Sequence, residues 1–209
     1  MKTIATAAYG PLNGLKMVEV AMPTPQAGEV RVRVVASALN PADYKVVLGT
    51  VKFLHGRKMP LQIGYDFSGT VDGVGPNVSG VAVGDDVFVF LPYGPFNNRG
   101  AFAEFLVAKC SEIAIKPRSV SHEIAAASAT SGSTALQAIR DYGHLPATGG
   151  QVLVTGVSGG VGSIAVGIAQ KLKATVTAVG SGAGLSLGRQ LGAVAVLDRK
   201  VINLPADIP

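Results

Sequence analysis

Short apolar runs fill the chain up to about residue 118, and their pattern predicts a β-rich domain. In Glu29–Ala36, three valines alternate with Arg31 and Arg33, as in an antiparallel strand with one solvated face. Four further strands are predicted: Thr3–Tyr9, Met17–Ala21, Gly100–Ala108 and Ile113–Lys116. More valines recur among glycines from Val71 to Val83. Such short strands with sharp turns favour a small, partly open barrel.

Helical signals interrupt this pattern once and then replace it. Asn40 and Pro41 predict the start of a short helix, because Asn is a good N-cap and Pro suits the first helical position. From Ser121 to about Asp141 the apolar residues follow a helical period. The polar run Thr130–Thr134 predicts a joint between two helical pieces. We therefore expect two domains, residues 1–120 and 121–209.

The second domain alternates strands with helices. The predicted strands are Gln151–Thr155, Thr175–Val179 and Val194–Leu197. Ile164, Ile168 and Leu172 recur every fourth residue and mark one face of a helix. A second helix is expected around Leu185–Leu191. This βαβαβ order is one mononucleotide-binding half of a doubly wound parallel sheet.

A glycine turn joins the first of these strands to its helix. Gly156, Gly159 and Gly162 stand three residues apart, with Gly160 between the last two. Glycine lets a pyrophosphate approach the backbone, and the free amides of the helix N-terminus favour an anion. The turn thus predicts a phosphate cradle over Ser158–Gly162. A tight structural turn is the alternative that the pattern leaves open, because two residues separate the first two glycines.

Composition restricts the classes of partner. Hydrophobic residues make up 48% of the 209 positions and charged residues 15%, which is enough for a sizeable core. The net charge is +5, but the basic residues are scattered and the aromatic ones are few, so no nucleic-acid partner is expected. Cys110 is the single cysteine, which excludes an internal disulfide. Neither a signal peptide nor a membrane span is predicted, and we expect a cytoplasmic protein.

Several motifs agree in order and spacing with one known family. They are NPADYK at 40–45, GYDFSG at 64–69, VGDDVF at 83–88, GAFAEF at 100–105, TSGSTALQAI at 130–139 and the glycine turn. The chain resembles the medium-chain dehydrogenase/reductase superfamily, in its zinc-independent quinone oxidoreductase and enoyl reductase branch. The resemblance implies an α/β fold, with a GroES-like partly open β-barrel domain followed by the first half of a Rossmann domain. It also implies hydride transfer from NADPH to a quinone or an α,β-unsaturated carbonyl, a small-molecule substrate.

The resemblance further implies which residues meet the cofactor. Asn40 and Asp43 would lie near the nicotinamide, and Thr130 would contact it. Ser158, Gly159, Gly160 and Val161 would hold the pyrophosphate together with Gly162. Structural alternatives stay open: Asn40 as a helix cap, Asp43 as a first-turn carboxylate favoured by the helix dipole, and Thr130 as a helix breaker.

No metal site and no catalytic residue are predicted. Zinc-dependent relatives place a cysteine near Asn40 and a histidine where Tyr65 stands, and this chain has neither. The three histidines, His55, His122 and His144, lie in different segments and are expected at loops or helix ends. Related enoyl reductases carry a tyrosine in the stretch that here reads Leu48–Val51, so no proton donor is assigned.

The second strand of the Rossmann half predicts NADPH rather than NADH. NAD-binding sites usually carry a carboxylate about 20 residues beyond the glycine turn. Here that stretch is Val179–Gly184, which contains no acidic residue. Ser181 can donate a hydrogen bond to a 2′-phosphate, and Arg199 can supply a guanidinium. A solvated side chain at a strand end is the alternative for Arg199.

Relatives of this family continue beyond the point where the present sequence ends. In the order 3-2-1-4-5-6 only the first three strands are expected here, which leaves strand 1 at an edge. An apolar, unpaired edge predicts self-association. The alternative to an oxidoreductase is therefore a truncated, non-catalytic nucleotide-binding remnant without a complete substrate site.

Overall fold

The computed structural model describes residues 1–55, 59–92 and 99–203. The chain divides into two compact units, Met1–Thr130 and Ser131–Pro209. The sequence also predicts a loop containing His55, Gly56 and Arg57, and residues 56–58 lie outside the described residues. The predicted domain boundary near residue 120 remains a prediction.

The first unit contains two antiparallel sheets in its described part. Its strands are β1 (Lys2–Thr6), β2 (Lys16–Glu19), β3 (Glu29–Ala38), β4 (Leu61–Gln62), β5 (Asp66–Val74), β6 (Asp86–Phe90), β7 (Phe105–Lys109) and β8 (Ile113–Ile115). A 3-stranded sheet has the order β2-β1-β4, and a 5-stranded sheet has the order β7-β3-β5-β6-β8. Neither sheet closes on itself among the described strands, in agreement with the predicted partly open barrel.

Strand β3 shows why this sheet forms. Val30 and Val32 are 0% exposed and point into the apolar core. Arg31, between them, points to the other face, where its Nε lies 2.8 Å from Oδ1 of Asp72 on β5. The predicted alternation of buried and solvated positions is therefore confirmed for this strand, and it fixes which face of the sheet is buried.

The first helix begins where its predicted cap places it. Helix α1 (Pro41–Val47) starts after Asn40, and α2 (Lys52–His55) follows it. Short 3₁₀ turns occupy Leu12–Gly14 and Cys110–Glu112.

The helix α3 (His122–Leu136) corrects one prediction, because it passes through Thr130–Thr134 without a joint. It continues into a π-helical segment, Gln137–Tyr142, before Gly143 ends it. Two polar residues of the expected joint are accommodated within the helix. Thr130 is hydrogen-bonded to Asp66, and Ser131 is buried. Polar residues break helices mainly by competing for backbone groups, and here a tertiary partner prevents that.

The second unit is a parallel sheet with helices. Its elements are β9 (Gln151–Thr155), α4 (Gly160–Lys171), β10 (Thr175–Gly180), α5 (Ala183–Gln190) and β11 (Ala195–Asp198). The strand order is β11-β10-β9, so the first three strands take the predicted 3-2-1 arrangement. Val157, Val166, Ala169 and Ala178 are 0% exposed and form much of the core against which α4 packs.

Strand β9 lies at the edge of this sheet, and among the described strands only β10 pairs with it. A groove of about 690 Å³ follows this edge and the glycine turn. It is lined by residues from Gln151–Gly156 and Gly159–Gly162, from the π-helical segment, and by Gly143, Leu145 and Ala165. Val152 and Leu153 are only partly buried there. The structure thus agrees with an apolar edge strand.

We expect the chain to self-associate through this edge. Lysine on an edge strand opposes such pairing. Gln151→Lys should therefore lower the associated fraction in size-exclusion chromatography with light scattering. Gln190→Lys, at the exposed end of α5, introduces the same charge and should leave association unchanged. A monomer at high concentration in the unmodified protein would contradict this prediction.

Candidate functional site

The glycine turn between β9 and α4 depends on two glycines for different reasons. Gly156 has φ of +70°, a left-handed conformation that favours glycine. Gly162 lies in the first turn of α4, where an added Cβ would be 2.3 Å from the carbonyl oxygen of Gly156. No real Cβ tolerates that distance, so the helix can approach the turn this closely only with glycine. Val157, between them, is 0% exposed and anchors the turn in the core.

The N-terminus of α4 is open to solvent at the predicted cradle. Ser158, Gly159, Gly160 and Val161 are exposed, whereas Gly162 is buried against the turn. The first amides of a helix have no partner within it and carry the positive end of the helix dipole. A Cβ at Gly160 would also lie 2.9 Å from the Ser131 hydroxyl oxygen. Bare backbone, exposed amides and positive potential together suit an anionic phosphate group.

Two predicted 2′-phosphate residues come together beside this turn. Gly180 on β10 is paired with Asp198 on β11, and Ser181 and Arg199 directly follow that pair. The amide of Arg199 donates to the carbonyl of Gly180 at 2.9 Å, which extends the strand pairing. Ser181 is half-buried and Arg199 is exposed. Both residues therefore stand at the carboxyl edge of the parallel sheet, where nucleotides bind in such folds.

Glycines also bring the second turn close to the first. A Cβ at Gly180 would be 2.9 Å from Val157 Cγ1, and a Cβ at Gly184 would be 3.3 Å from the Ser158 side chain. Gly180 and Gly184 thus allow the start of α5 to pack against the glycine turn. The stretch from Val179 to Gly184 thus lacks a carboxylate and also contains the two glycines that allow this packing.

In the first unit, the predicted residues Asn40 and Thr130 meet at a buried carboxylate. Asp66, the first residue of β5, is 0% exposed. Its Oδ2 accepts hydrogen bonds from Asn40 Nδ2 and from the Thr130 amide, both at 3.0 Å. Its Oδ1 accepts the Thr130 hydroxyl at 2.5 Å. Burial raises the pKa of Asp66, and the hydrogen bonds from Thr130 and Asn40 oppose that rise.

Asp43 lies in the first turn of α1 and is 1% exposed. One carboxylate oxygen accepts the Asn40 amide at 2.5 Å, as in a helix cap. The other, Oδ1, has no hydrogen-bond partner among the described residues. Burial raises the pKa of Asp43 to about 6, the Asn40 amide counteracts this, and the charge of Asp66 adds to it. The sequence pattern suggested the cap but not the burial.

Sequence reasoning missed Asp66 and a second polar group on β5. The side chain of Ser68, also 0% exposed, donates to the Val87 carbonyl and contacts His122 Nδ1, both at 2.8 Å. His122 Nε2 in turn lies 3.5 Å from Asp86. Because the single Ser68 proton goes to a carbonyl, this serine is not an activated nucleophile, and His122 donates to it. The sequence carried one signal for them, because Asp66 and Ser68 stand on either side of the apolar Phe67. Asp and Ser are rarely buried, so their presence in a buried strand indicates a specific hydrogen-bonding role.

No described helix is both long and apolar enough to span a membrane. Within residues 1–55, 59–92 and 99–203, no three His, Cys, Asp or Glu side chains cluster as metal ligands would. His122 is paired as described above, His144 has a positive φ of 48° after the π-helical segment, and the His55 side chain lies outside the described part.

Together, the antiparallel unit and the parallel unit with its glycine turn define a class of α/β protein in which a β-rich unit is followed by a Rossmann-type parallel sheet. Comparison with known proteins agrees with this class. Residues 26–118 match the alcohol dehydrogenase GroES-like domain. The chloroplast envelope quinone oxidoreductase homolog of Arabidopsis thaliana is 37% identical over 191 residues, covering 90% of this chain and 57% of that protein.

Solved structures give the same picture. The quinone oxidoreductase from Coxiella burnetii is 29% identical with a TM-score of 0.85, covering 100% of this chain and 65% of that one. The Escherichia coli quinone oxidoreductase complexed with NADPH is 25% identical with a TM-score of 0.83, covering 98% of this chain and 60% of that one. The chain thus spans roughly three fifths of the length of these relatives.

The protein belongs to the medium-chain dehydrogenase/reductase superfamily, in its quinone oxidoreductase branch. Its fold is the predicted one, with a GroES-like domain followed by a Rossmann-type parallel sheet.

The close approach at Gly162 predicts a difference between two glycines of α4. Gly162→Ala should lower the free energy of unfolding by about 1–3 kcal/mol, because its Cβ has no room beside the Gly156 carbonyl. Gly167→Ala is the matched control: a Cβ there meets nothing within 4 Å. It should raise stability by about 0.5–1 kcal/mol through helix propensity. Urea unfolding of both variants measures this, and equal effects would contradict the predicted clash.

The buried Asp43 predicts a dependence of stability on pH. Because burial raises the pKa of Asp43 to about 6 in the folded protein, folding favours its protonated form. The contribution of protonated Asp43 to the free energy of unfolding is fully present below the unfolded pKa. It decreases by about 3 kcal/mol as pH rises from about 4 to about 6. Relative to Asp43→Asn, the unmodified protein should therefore lose stability over that window in urea unfolding.

Asp86→Asn provides a control of opposite sign. The Thr70 hydroxyl, followed by the charges of His122 and Lys116, lowers the pKa of Asp86. The ionised form of Asp86 thus stabilises the fold, and its contribution is lost as pH falls through the lowered pKa. A flat difference between the unmodified protein and Asp43→Asn from pH 4 to 7 would show that Asp43 is not held in a desolvated site.

Proposed function

We propose that this protein is an NADPH-dependent oxidoreductase that reduces a quinone or an α,β-unsaturated carbonyl. The glycine turn carries the proposal: a close-packed strand-to-helix turn with exposed amides at the helix N-terminus, in a member of the quinone oxidoreductase branch. A quinone oxidoreductase of similar fold forms a complex with NADPH. The bound cofactor would supply the hydride.

The chain's own residues would bind and orient the cofactor. The amides of Ser158–Gly162 would hold the pyrophosphate, where no side chain other than those of Ser158 and Val161 intervenes. Thr130 would contact the nicotinamide, with Asn40 and Asp43 close to it. All three residues are linked to Asp66 by a hydrogen bond or by charge. No proton donor is assigned among them.

Selectivity for the 2′-phosphate would come from Ser181 and Arg199. The register of β10 with β11 makes these two residues neighbours at the end of the sheet. A hydroxyl and an exposed guanidinium can both donate to phosphate oxygens. In the other direction, Val179–Gly184 contains no carboxylate to bind the ribose hydroxyls of NADH. These features favour NADPH.

The direct test is a fluorescence titration with NADPH, followed by turnover of 9,10-phenanthrenequinone and of a crotonyl thioester. We expect saturable binding and NADPH oxidation with at least one of these acceptors. Binding without turnover on either acceptor would favour the non-catalytic nucleotide-binding alternative. Absence of NADPH binding would exclude both nucleotide-dependent functions.

The 2′-phosphate assignment predicts the effect of two substitutions. Ser181→Ala and Arg199→Ala should each weaken NADPH binding by about 1–2 kcal/mol, the scale of a hydrogen bond to a charged group. NADH lacks the 2′-phosphate, so its affinity should not change. Isothermal titration with both cofactors provides the measurement.

Two exposed residues of α5 provide matched controls. Arg189→Ala removes the same charge as Arg199→Ala, and Ser186→Ala removes a hydroxyl that donates to the Ala183 carbonyl at 2.9 Å. Neither residue stands at the carboxyl edge of the sheet, and neither change should alter NADPH affinity. Equal losses for NADPH and NADH, or tighter NADH binding by the unmodified protein, would show that the assignment is mistaken.

A further inference from the structure

The hydrogen bonds around Asp66 determine where the protons of its neighbours point. Three donors converge on this buried carboxylate: the Asn40 side-chain amide, the Thr130 backbone amide and the Thr130 hydroxyl. The two N–H groups can only donate, and an ionised carboxylate acts only as an acceptor. With Asp66 ionised, the Thr130 hydroxyl has to donate to it as well.

Thr130 is the residue most affected by this arrangement. A threonine hydroxyl has one proton and two lone pairs. Its proton is given to Asp66 Oδ1 at 2.5 Å, so only the lone pairs of Thr130 Oγ1 remain for another partner. Thr130 is only partly buried, and Asn40 is likewise partly exposed, so both remain accessible above the fully buried Asp66.

We propose that Asp66 is a positioning residue that makes Thr130 an obligate hydrogen-bond acceptor, so that Thr130 selects a ligand group that donates, such as the N–H of a primary carboxamide. This inference rests on the proposed function, in which Thr130 meets the nicotinamide. It adds the polarity of the contact: the amide N–H₂ faces Thr130, and a carbonyl oxygen at that place is repelled.

Replacing Asp66 with asparagine reverses this polarity without changing the shape of the side chain. The new carbonyl oxygen can take the place of Oδ2 and accept both the Thr130 amide and the Asn40 amide. The new N–H₂ then takes the place of Oδ1 and donates to Thr130 Oγ1. The Thr130 hydroxyl then no longer donates to residue 66, so it can donate to a ligand carbonyl instead.

The test compares two reduced nucleotides that differ at a single group. NADPH carries a carboxamide, and its 3-acetylpyridine analogue carries a methyl ketone, which accepts but cannot donate. The unmodified 209-residue chain should bind NADPH about five- to tenfold more tightly than the analogue, which is the size of one hydrogen bond. In Asp66→Asn this ratio should fall to about one or reverse.

Variants at Thr130 and on the same strand separate polarity from general damage. Thr130→Ser keeps the hydroxyl and should keep the preference for NADPH over the analogue. Thr130→Val lacks the hydroxyl and should bring the ratio of the two affinities to about one. Asp72→Asn makes the same substitution on β5 at a residue bound to Arg31, and the ratio should stay unchanged. An unaltered ratio in Asp66→Asn, with both nucleotides still bound, would overturn the inference while leaving the proposed function in place.

A second measurement needs no cofactor. In the unliganded protein, the Thr130 hydroxyl proton should be visible by NMR as a slowly exchanging, downfield signal that Asp66→Asn removes. If the signal is present but neither nucleotide binds, the proposed function fails, and the selection of a carboxamide fails with it. If both nucleotides bind but no such proton is held, the inference about Asp66 fails alone.

Discussion

A carboxylate without access to water has to be satisfied by the protein, and in the first unit this constraint falls on Asp66. An unpaired buried charge costs several kcal/mol or shifts its pKa until it is neutral. Asp66 avoids most of this cost by accepting three donors from Asn40 and Thr130. Those two residues stand 26 and 64 positions away along the chain. Satisfying one charge therefore ties the start of α1 and the middle of α3 to the first residue of β5.

The second unit depends on a close backbone contact instead of a charge. Gly162 lies so close to the carbonyl of Gly156 that a Cβ is excluded. At the neighbouring turn, Gly180 and Gly184 leave less room than a Cβ ordinarily takes beside Val157 and Ser158. Short backbone distances leave the helix N-terminus uncovered by side chains, and an anion can then approach the amides. The glycines are thus required first for packing, and the exposed amides follow from that packing.

Much of this architecture could be predicted because it is local. Alternation in β3, the cap at Asn40 and the βαβαβ order each depend on neighbouring residues, and the structure agrees with all three. The continuity of α3 could not be predicted, because the partner that Thr130 finds is Asp66 on a distant strand. The burial of Asp43 was missed because its place in the first turn of α1 does not show what packs against it. The roles of the ten predicted cofactor residues remain predictions, although the strand register does bring Ser181 and Arg199 together.

The burial pattern of strand β5 explains why Asp66 was not predicted from the sequence. Its alternate residues Phe67 and Val71 are almost fully buried, so the opposite face, with Asp66 and Ser68, would ordinarily be assigned to solvent. Both of those polar residues are 0% exposed, because α3 contributes His122 and Thr130 to that face. Apolar surfaces can slide past one another, whereas hydrogen bonds hold only one register. A polar face covered by a helix therefore fixes the rotation and position of α3, and with them the direction in which Thr130 presents its lone pairs.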